Sequence, residues 1–358
     1  MRTLRGWRMT GPSTLTAFDA PLGTPREGWV LVEVAGCGLC HTDLGFLYDA
    51  VPTKHPLPLV LGHEISGVVV ATGAGAGAWE GRRVIVPSVT PCGACAFCAA
   101  GQVTTCRSSL MPGNDHDGGF ASHVEVPARG LCPVDAEGAP STGLIGVDGL
   151  ELWELSVLAD AITTPLQAMR RCQLKSGEVA IVIGAGGVGS YAVQLAKALG
   201  ARVVALDIDP KKLERAGRLG ASACLDARTP PKELKKAIGA LAKSSGARPD
   251  AWRVFEMSGS RAGQELAFSL LTQGGSISVV GYTTEAATVR ISNLMAYDAT
   301  VWGNWGCDPA LYPEALALVK SGQVQIRGLV RREPLAEAPR IFEAAHRGEF
   351  AERVVLTP

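Results

Sequence analysis

Four cysteines fall within fifteen residues, at Cys92, Cys95, Cys98 and Cys106, in the pattern C-x2-C-x2-C-x7-C. Spacings this short let four thiolates converge on one tetrahedral zinc, and a closed four-sulfur shell leaves no place for a substrate. That site is therefore read as structural. A second group is scattered: Cys40-His41-Thr42-Asp43, then Gly62-His63-Glu64, then Asp160. A catalytic zinc needs about three protein ligands and one open position. Cys40, His63 and Asp160 offer a thiolate, an imidazole and a carboxylate. Each alone is equally well a buried cysteine or a hydrogen-bonded core residue, so the group carries weight only as a set.

The third chemical feature is Gly184-Ala185-Gly186-Gly187-Val188-Gly189, a G-x-G-x-x-G turn between an apolar run and a helical pattern. The first glycine permits the tight turn and the second lets backbone approach a pyrophosphate. The third lets helix and strand pack closely, and the helix N-terminus offers its N–H groups to phosphate. Asp207 lies eighteen residues beyond Gly189 at the end of the next apolar run. A carboxylate there grips a ribose 2′-hydroxyl and repels a 2′-phosphate, which favours NAD over NADP. Lys212, counted with the cofactor set, follows closely and tempers that preference.

The elements that must carry these groups fall into three stretches. Residues 30–127 alternate short β-branched runs with Gly and Pro turns, an all-β pattern with loops. From about 161 to 300 the pattern becomes apolar strand, glycine turn and long helix, repeated. Residues 179–183, 203–206, 254–255 and 277–280 have the near-continuous apolar character of parallel strands buried on both faces. The tail from Gly303 reads as a helix at 313–321, a short strand and a helix ending near His346. It returns to complete the first stretch. The expected division is a catalytic domain over 1–160 with the cysteine lobe, a nucleotide domain over 161–302, and a catalytic remainder over 303–358. Residues 138–149 read as a surface insertion, and 289–291 as a strand able to extend the sheet across a two-fold axis.

Composition narrows the setting. The chain has 358 residues, 34 basic and 34 acidic, so no net field recruits nucleic acid or an anionic membrane. Ten cysteines are far too few for a disulfide scaffold. Their clustering, with no apolar h-region at the start, points to the cytoplasm. Residues 179–196 imitate a membrane span in length, but four glycines break them into a strand and a helix.

Together, the run from Gly36 to Asp43, Leu61-Gly62-His63-Glu64, the cysteine lobe and the glycine turn resemble the zinc-containing medium-chain dehydrogenase family, in its order and across essentially the whole chain. The resemblance implies an α/β architecture: a GroES-like β-barrel catalytic domain, a Rossmann domain with a doubly wound parallel sheet, and a cleft between them. It implies Cys40, His63 and Asp160 as catalytic zinc ligands, with two zincs per chain and NAD as cofactor. Glu64 resembles a carboxylate that approaches zinc when ligands exchange, and Asp43 the group that orients the ligand histidine. Thr42 takes the substrate proton and Thr164 sits near the nicotinamide. Some relatives complete the proton relay with a histidine where this chain has Gly45, so His41 or water serves there instead. The implied reaction removes a proton through Thr42 and passes the carbinol hydride to nicotinamide C4.

A narrower likeness is carried by the runs at 111–115, 118–121, 126–133, 292–296 and 303–307. They resemble the 6-hydroxycyclohex-1-ene-1-carbonyl-CoA dehydrogenases of anaerobic benzoyl-CoA degradation, which implies a CoA thioester as substrate. CoA phosphates call for a basic patch; Arg129, Arg290, Arg331 and Arg332 are available, but dispersed. The nearer alternative is a zinc dehydrogenase of a simple secondary alcohol or polyol, and the remote one a zinc-stabilised binding protein without catalysis. A homodimer or homotetramer is expected from the family.

Overall fold

The computed structural model describes residues 3–136, 143–244, 246–247 and 252–358. The chain divides into two units, residues 1–163 with 306–358, and residues 164–305.

The first unit opens with a hairpin, β1 (Thr3–Gly11) and β2 (Thr14–Pro21), paired antiparallel. Next come β3 (Trp29–Gly38), α1 (His41–Tyr48), β4 (Glu64–Thr72) and β5 (Arg83–Val86), then α2 (Ala96–Ala99) in the cysteine lobe, β6 (His123–Pro127) and β7 (Cys132–Pro133). The all-β reading of this region missed α1, and the reason is local. The helix is only two turns long, and Asp43, not an apolar period, starts it: its carboxylate accepts the N–H of Cys40 at 2.9 Å, the reciprocal half of a capping box. Of the insertion expected at 138–149, residues 138–142 lie outside the described residues. The remainder is a tight loop whose Asp148 and Gly149 carbonyls accept from Arg327 at 2.9 Å.

The second unit follows with α3 (Thr163–Arg171), whose first residue still belongs to unit one, then β8 (Val179–Ile183), α4 (Gly187–Ala198), β9 (Arg202–Asp207), α5 (Pro210–Leu219), β10 (Ala223–Asp226), α6 (Pro231–Ser244), β11 (Arg253–Glu256), α7 (Arg261–Ser269), β12 (Ser276–Val279), α8 (Ser292–Tyr297) and β13 (Thr300–Gly303). All six strands are parallel, in the order β10-β9-β8-β11-β12-β13. That is the doubly wound order, with its switch point between β8 and β11. The four apolar runs read as strands are β8, β9, β11 and β12. The stretch that imitated a membrane span is β8 and α4, and among the described residues no helix is long and apolar enough to cross a membrane. Residues 289–291 are not a strand: they run unpaired, and β13 forms the sheet edge instead. Their β-branched character was a surface feature, since Ile291 is exposed.

The tail then returns to the first unit with α9 (Tyr312–Lys320), β14 (Val330–Pro334), α10 (Ala338–His346) and β15 (Arg353–Thr357). Here the sheet order is β14-β15-β3-β4-β5-β7, with β6 beside β3. Each unit buries its own core. Val32, Ile65, Val126, Phe342 and Leu356 lie in the first, and Ile181, Val204, Val254 and Ile277 in the second.

Candidate active site and cofactor turn

In the first unit, Cys40, His63, Glu64 and Asp160 bring one ligand atom each within 4.8 Å of one another. Cys40 Sγ stands 3.8 Å from Asp160 Oδ2, and His63 Nε2 stands 3.8 Å from the same oxygen. A tetrahedral zinc with ordinary bond lengths sets such ligand atoms about 3.4–3.6 Å apart, so the set is close to a ligand shell. Cys40 is the extended N-cap residue of α1, His63 immediately precedes β4, and Asp160 follows a 3-10 helix (Leu152–Ala159).

Asp43 organises two of these positions. Its Oδ2 accepts the Cys40 N–H, while Oδ1 accepts the Gly62 N–H at 3.1 Å and lies 3.3 Å from His63 Nδ1. A buried carboxylate behind a ligand imidazole fixes its ring and tautomer, leaving Nε2 for the metal. Burial disfavours a charged His63, yet the Asp43 charge and the hydrogen bonds with Asp160, Asp43 and Cys40 outweigh it, so His63 holds a proton well above the ordinary range. A metal ion at Nε2 would have to displace that proton, so its binding there would weaken as pH falls. Thr42 Oγ1 lies 3.8 Å from Cys40 Sγ, so its hydroxyl is at the site, whereas His41 is exposed.

Sequence reasoning missed Arg353. On β15, its Nε donates to Glu64 Oε2 at 2.7 Å and its Nη2 donates to Oε1, a bidentate pair with both side chains buried. Burial pushes the Glu64 carboxyl up to about 7 even against the pull of Arg353. Nothing local announces this partner, because 289 residues separate the two. Gly38 makes room: a Cβ there would lie 2.1 Å from Glu64 Oε2.

Two runs of the narrower likeness, 111–115 and 118–121, find a structural use here. A Cβ on Gly113 would lie 2.6 Å from the Gly62 nitrogen, and one on Gly118 2.3 Å from the Gly62 oxygen. Gly118, Gly119 and Phe120 donate their N–H groups to Val60, Gly62 and Leu61. This segment buttresses the backbone that presents His63. Arg129, Arg331 and Arg332 each donate through Nε, to the Pro91 carbonyl, Glu333 and Thr357 respectively.

In the lobe, Cys92–Cys98, Cys95–Cys98 and Cys95–Cys106 sulfurs are 3.9, 3.6 and 3.8 Å apart. Four thiolates about 2.3 Å from one zinc sit about 3.8 Å apart, so the lobe is already shaped for the ion. Backbone N–H groups, that of Ala94 foremost, pull the Cys92 thiol down to about 6. Cys98→Ser should cost one zinc per chain and lower the thermal midpoint by at least about 5 °C. Elemental analysis and calorimetry read both, and full zinc content with an unchanged midpoint would count against a structural ion.

The glycine turn of the second unit has the shape its spacing calls for. Gly184 adopts φ +87°, and a Cβ there would strike the Ser258 backbone at 2.7 Å; one on Gly189 would lie 1.8 Å from the Gly184 carbonyl oxygen. A Cβ at Gly186 would meet nothing within 4 Å, which leaves its backbone open to the close approach a pyrophosphate would need. Asp207 ends β9, buried, accepting the Ala185 N–H at 2.7 Å and the Asp209 N–H at 2.9 Å, with further acceptor capacity for a ribose hydroxyl. Asp209 caps α5, Pro210 opens it and Gly220 closes it at φ +112°, which presents Lys212 half-buried on its first turn. Arg215, unremarked in the sequence, reaches back to the Ala185 carbonyl at 3.2 Å. Gly187 and Val188 begin α4, and Thr164 is buried on α3 with its carbonyl accepting from Asn304.

Residues 26–136 match the alcohol dehydrogenase GroES-like domain and residues 187–321 the zinc-binding dehydrogenase family. An alcohol dehydrogenase of Geobacillus stearothermophilus is 30% identical over 335 residues, covering 92% of both chains. A cobalt- and zinc-bound thermostable alcohol dehydrogenase from Pyrobaculum aerophilum superposes with TM-score 0.82 at 26% identity, covering both chains fully. Galactitol-1-phosphate dehydrogenase from Escherichia coli superposes at 0.85 with 22% identity, over 99% of this chain and 100% of that one, a likeness of fold.

Proposed function

Because the chain belongs to the zinc-containing medium-chain alcohol dehydrogenase family, we propose that it oxidises a secondary ring alcohol carried on a CoA thioester, 6-hydroxycyclohex-1-ene-1-carbonyl-CoA, to the 6-oxo thioester with NAD. The observation that carries the chemistry is the convergence of Cys40, His63 and Asp160 with the Thr42 hydroxyl beside them. Zinc held there would supply Lewis acidity to the alcohol oxygen, and NAD would accept the hydride. Thr42 takes the hydroxyl proton outward. Asp43 keeps His63 aimed, and Arg353 keeps the neighbouring Glu64 neutralised by an ion pair.

The thioester rests on the runs at 111–115, 118–121, 126–133, 292–296 and 303–307. A second reading, a simple alcohol or polyol as substrate, is favoured by the alcohol dehydrogenases among the relatives. The two separate in one assay. Nicotinamide reduction is followed with the cyclic hydroxyacyl-CoA beside small alcohols and polyols. Turnover of the thioester alone supports the first; turnover of a small alcohol without the thioester keeps the zinc chemistry and replaces the substrate.

NAD is proposed over NADP on Asp207. Asp207→Ser should lower kcat/KM for NAD about 10–100-fold, the worth of a charged hydrogen bond, and raise use of NADP. An unchanged NAD/NADP ratio would remove Asp207 from cofactor choice. We also propose a homo-oligomer of two or four subunits, since β13 is an edge strand of the sheet among the described residues, and Trp302 on it and Met295 on α8 are exposed.

A further inference from the structure

Asp43 steadies Cys40 and His63 directly, and the third proposed ligand has a different support. Asp160 follows the 3-10 helix that ends in Ala159, and the Ala159 carbonyl is fully buried with two hydroxyl donors on it. Thr163 Oγ1 donates at 3.1 Å, and Tyr312 Oη donates from the first residue of α9. Tyr312 is itself fully buried, and its oxygen accepts the Ser88 N–H at 3.0 Å. A single phenol thus ties the segment after β5, the start of α9 and the peptide bond that carries Asp160.

We propose that Tyr312 is the positioning residue for Asp160: its hydroxyl, with that of Thr163, clamps the Ala159–Asp160 peptide so that the carboxylate faces Cys40 and His63. The inference rests on the reading of those three residues as a zinc site. The physical reason is reach. Asp has a short side chain, so the direction of its carboxylate follows the orientation of its own peptide. That peptide stands at the end of a 3-10 helix, where the regular hydrogen bonds stop. Two hydroxyls on one buried carbonyl restore what the helix end lacks, and the phenol cannot turn away without leaving the Ser88 N–H unpaired in the core.

The test uses the full-length zinc-loaded protein as wild type, Tyr312→Phe, Thr163→Val and Asp160→Asn. Zinc affinity is read by competition with a graded chelator, and ligand geometry by the absorption bands of the cobalt-substituted site. Tyr312→Phe is expected to weaken metal binding at the Cys40 cluster about 10–100-fold, as loss of a supporting group around a ligand does. It should also shift the cobalt bands, with the lobe zinc retained. Wild-type affinity and bands in Tyr312→Phe would overturn the proposal. Should that variant not fold, which loss of the lobe zinc would reveal, Thr163→Val decides: weakened affinity with shifted bands supports the clamp, and unchanged values overturn it. Asp160→Asn separates the two layers, for if it leaves both affinity and bands untouched, the zinc reading of Asp160 fails whatever Tyr312 does.

Discussion

Cys40→Ser or His63→Ala is expected to lower turnover by at least about 10⁴-fold, with cofactor affinity left near its wild-type value. The size follows from what is removed. Lewis-acid stabilisation of a developing oxyanion is worth several kcal/mol, and each 1.36 kcal/mol is tenfold in rate. Losing one of three ligands also opens the shell, so the ion itself is expected to leave. The sparing of cofactor affinity follows from position, because the glycine turn and Asp207 lie on β8, α4 and β9 of the other unit. Steady-state kinetics, metal analysis and a nicotinamide titration check the three parts. A His63→Ala protein with turnover within tenfold of wild type would mean that the cluster is not the reaction centre.

Arg353→Met should destabilise the chain by about 3–5 kcal/mol, the penalty for leaving a buried carboxylate without its partner. Glu64 is fully buried, Arg353 nearly so, and their bond is bidentate. The double variant Arg353→Met with Glu64→Gln removes both charges and should regain most of the loss, since replacing a buried pair costs far less than breaking it. Urea unfolding of wild type, both singles and the double gives the coupling. A loss under about 1 kcal/mol in the single variant would show that Glu64, whose carboxyl burial already pushes up to about 7, takes up a proton rather than staying a buried anion.

Legibility followed the range of the interactions. The cysteine lobe and the glycine turn are local motifs whose residues fold onto themselves, and their spacing alone predicted the geometry found. Apolar runs at 179–183 and 203–206 were readable because both faces of those strands are buried. β10 and β13 were not. The residues of β10 are all half-buried, and Thr300, Trp302 and Gly303 of β13 are exposed on the sheet edge, so neither writes an apolar run. The β1–β2 hairpin was hidden for the same reason, with only Gly6 and Met9 buried on β1. Cys40, His63 and Asp160 were individually ambiguous, and the family resemblance joined them. Arg353 and Tyr312 had no signature at all: their partners, Glu64 and Ala159, lie 289 and 153 residues away.

Nicotinamide reduction is expected to depend on zinc at the Cys40 cluster. The most direct measurement is nicotinamide reduction by one preparation in three states, zinc-loaded, partially stripped so that only the lobe zinc remains, and reloaded. Substrates are the cyclic hydroxyacyl-CoA and a panel of small alcohols. Turnover is expected in the first state, none in the second and recovery in the third. Undiminished turnover with the lobe zinc alone, or no nicotinamide reduction from any alcohol by the fully loaded protein, would contradict that expectation.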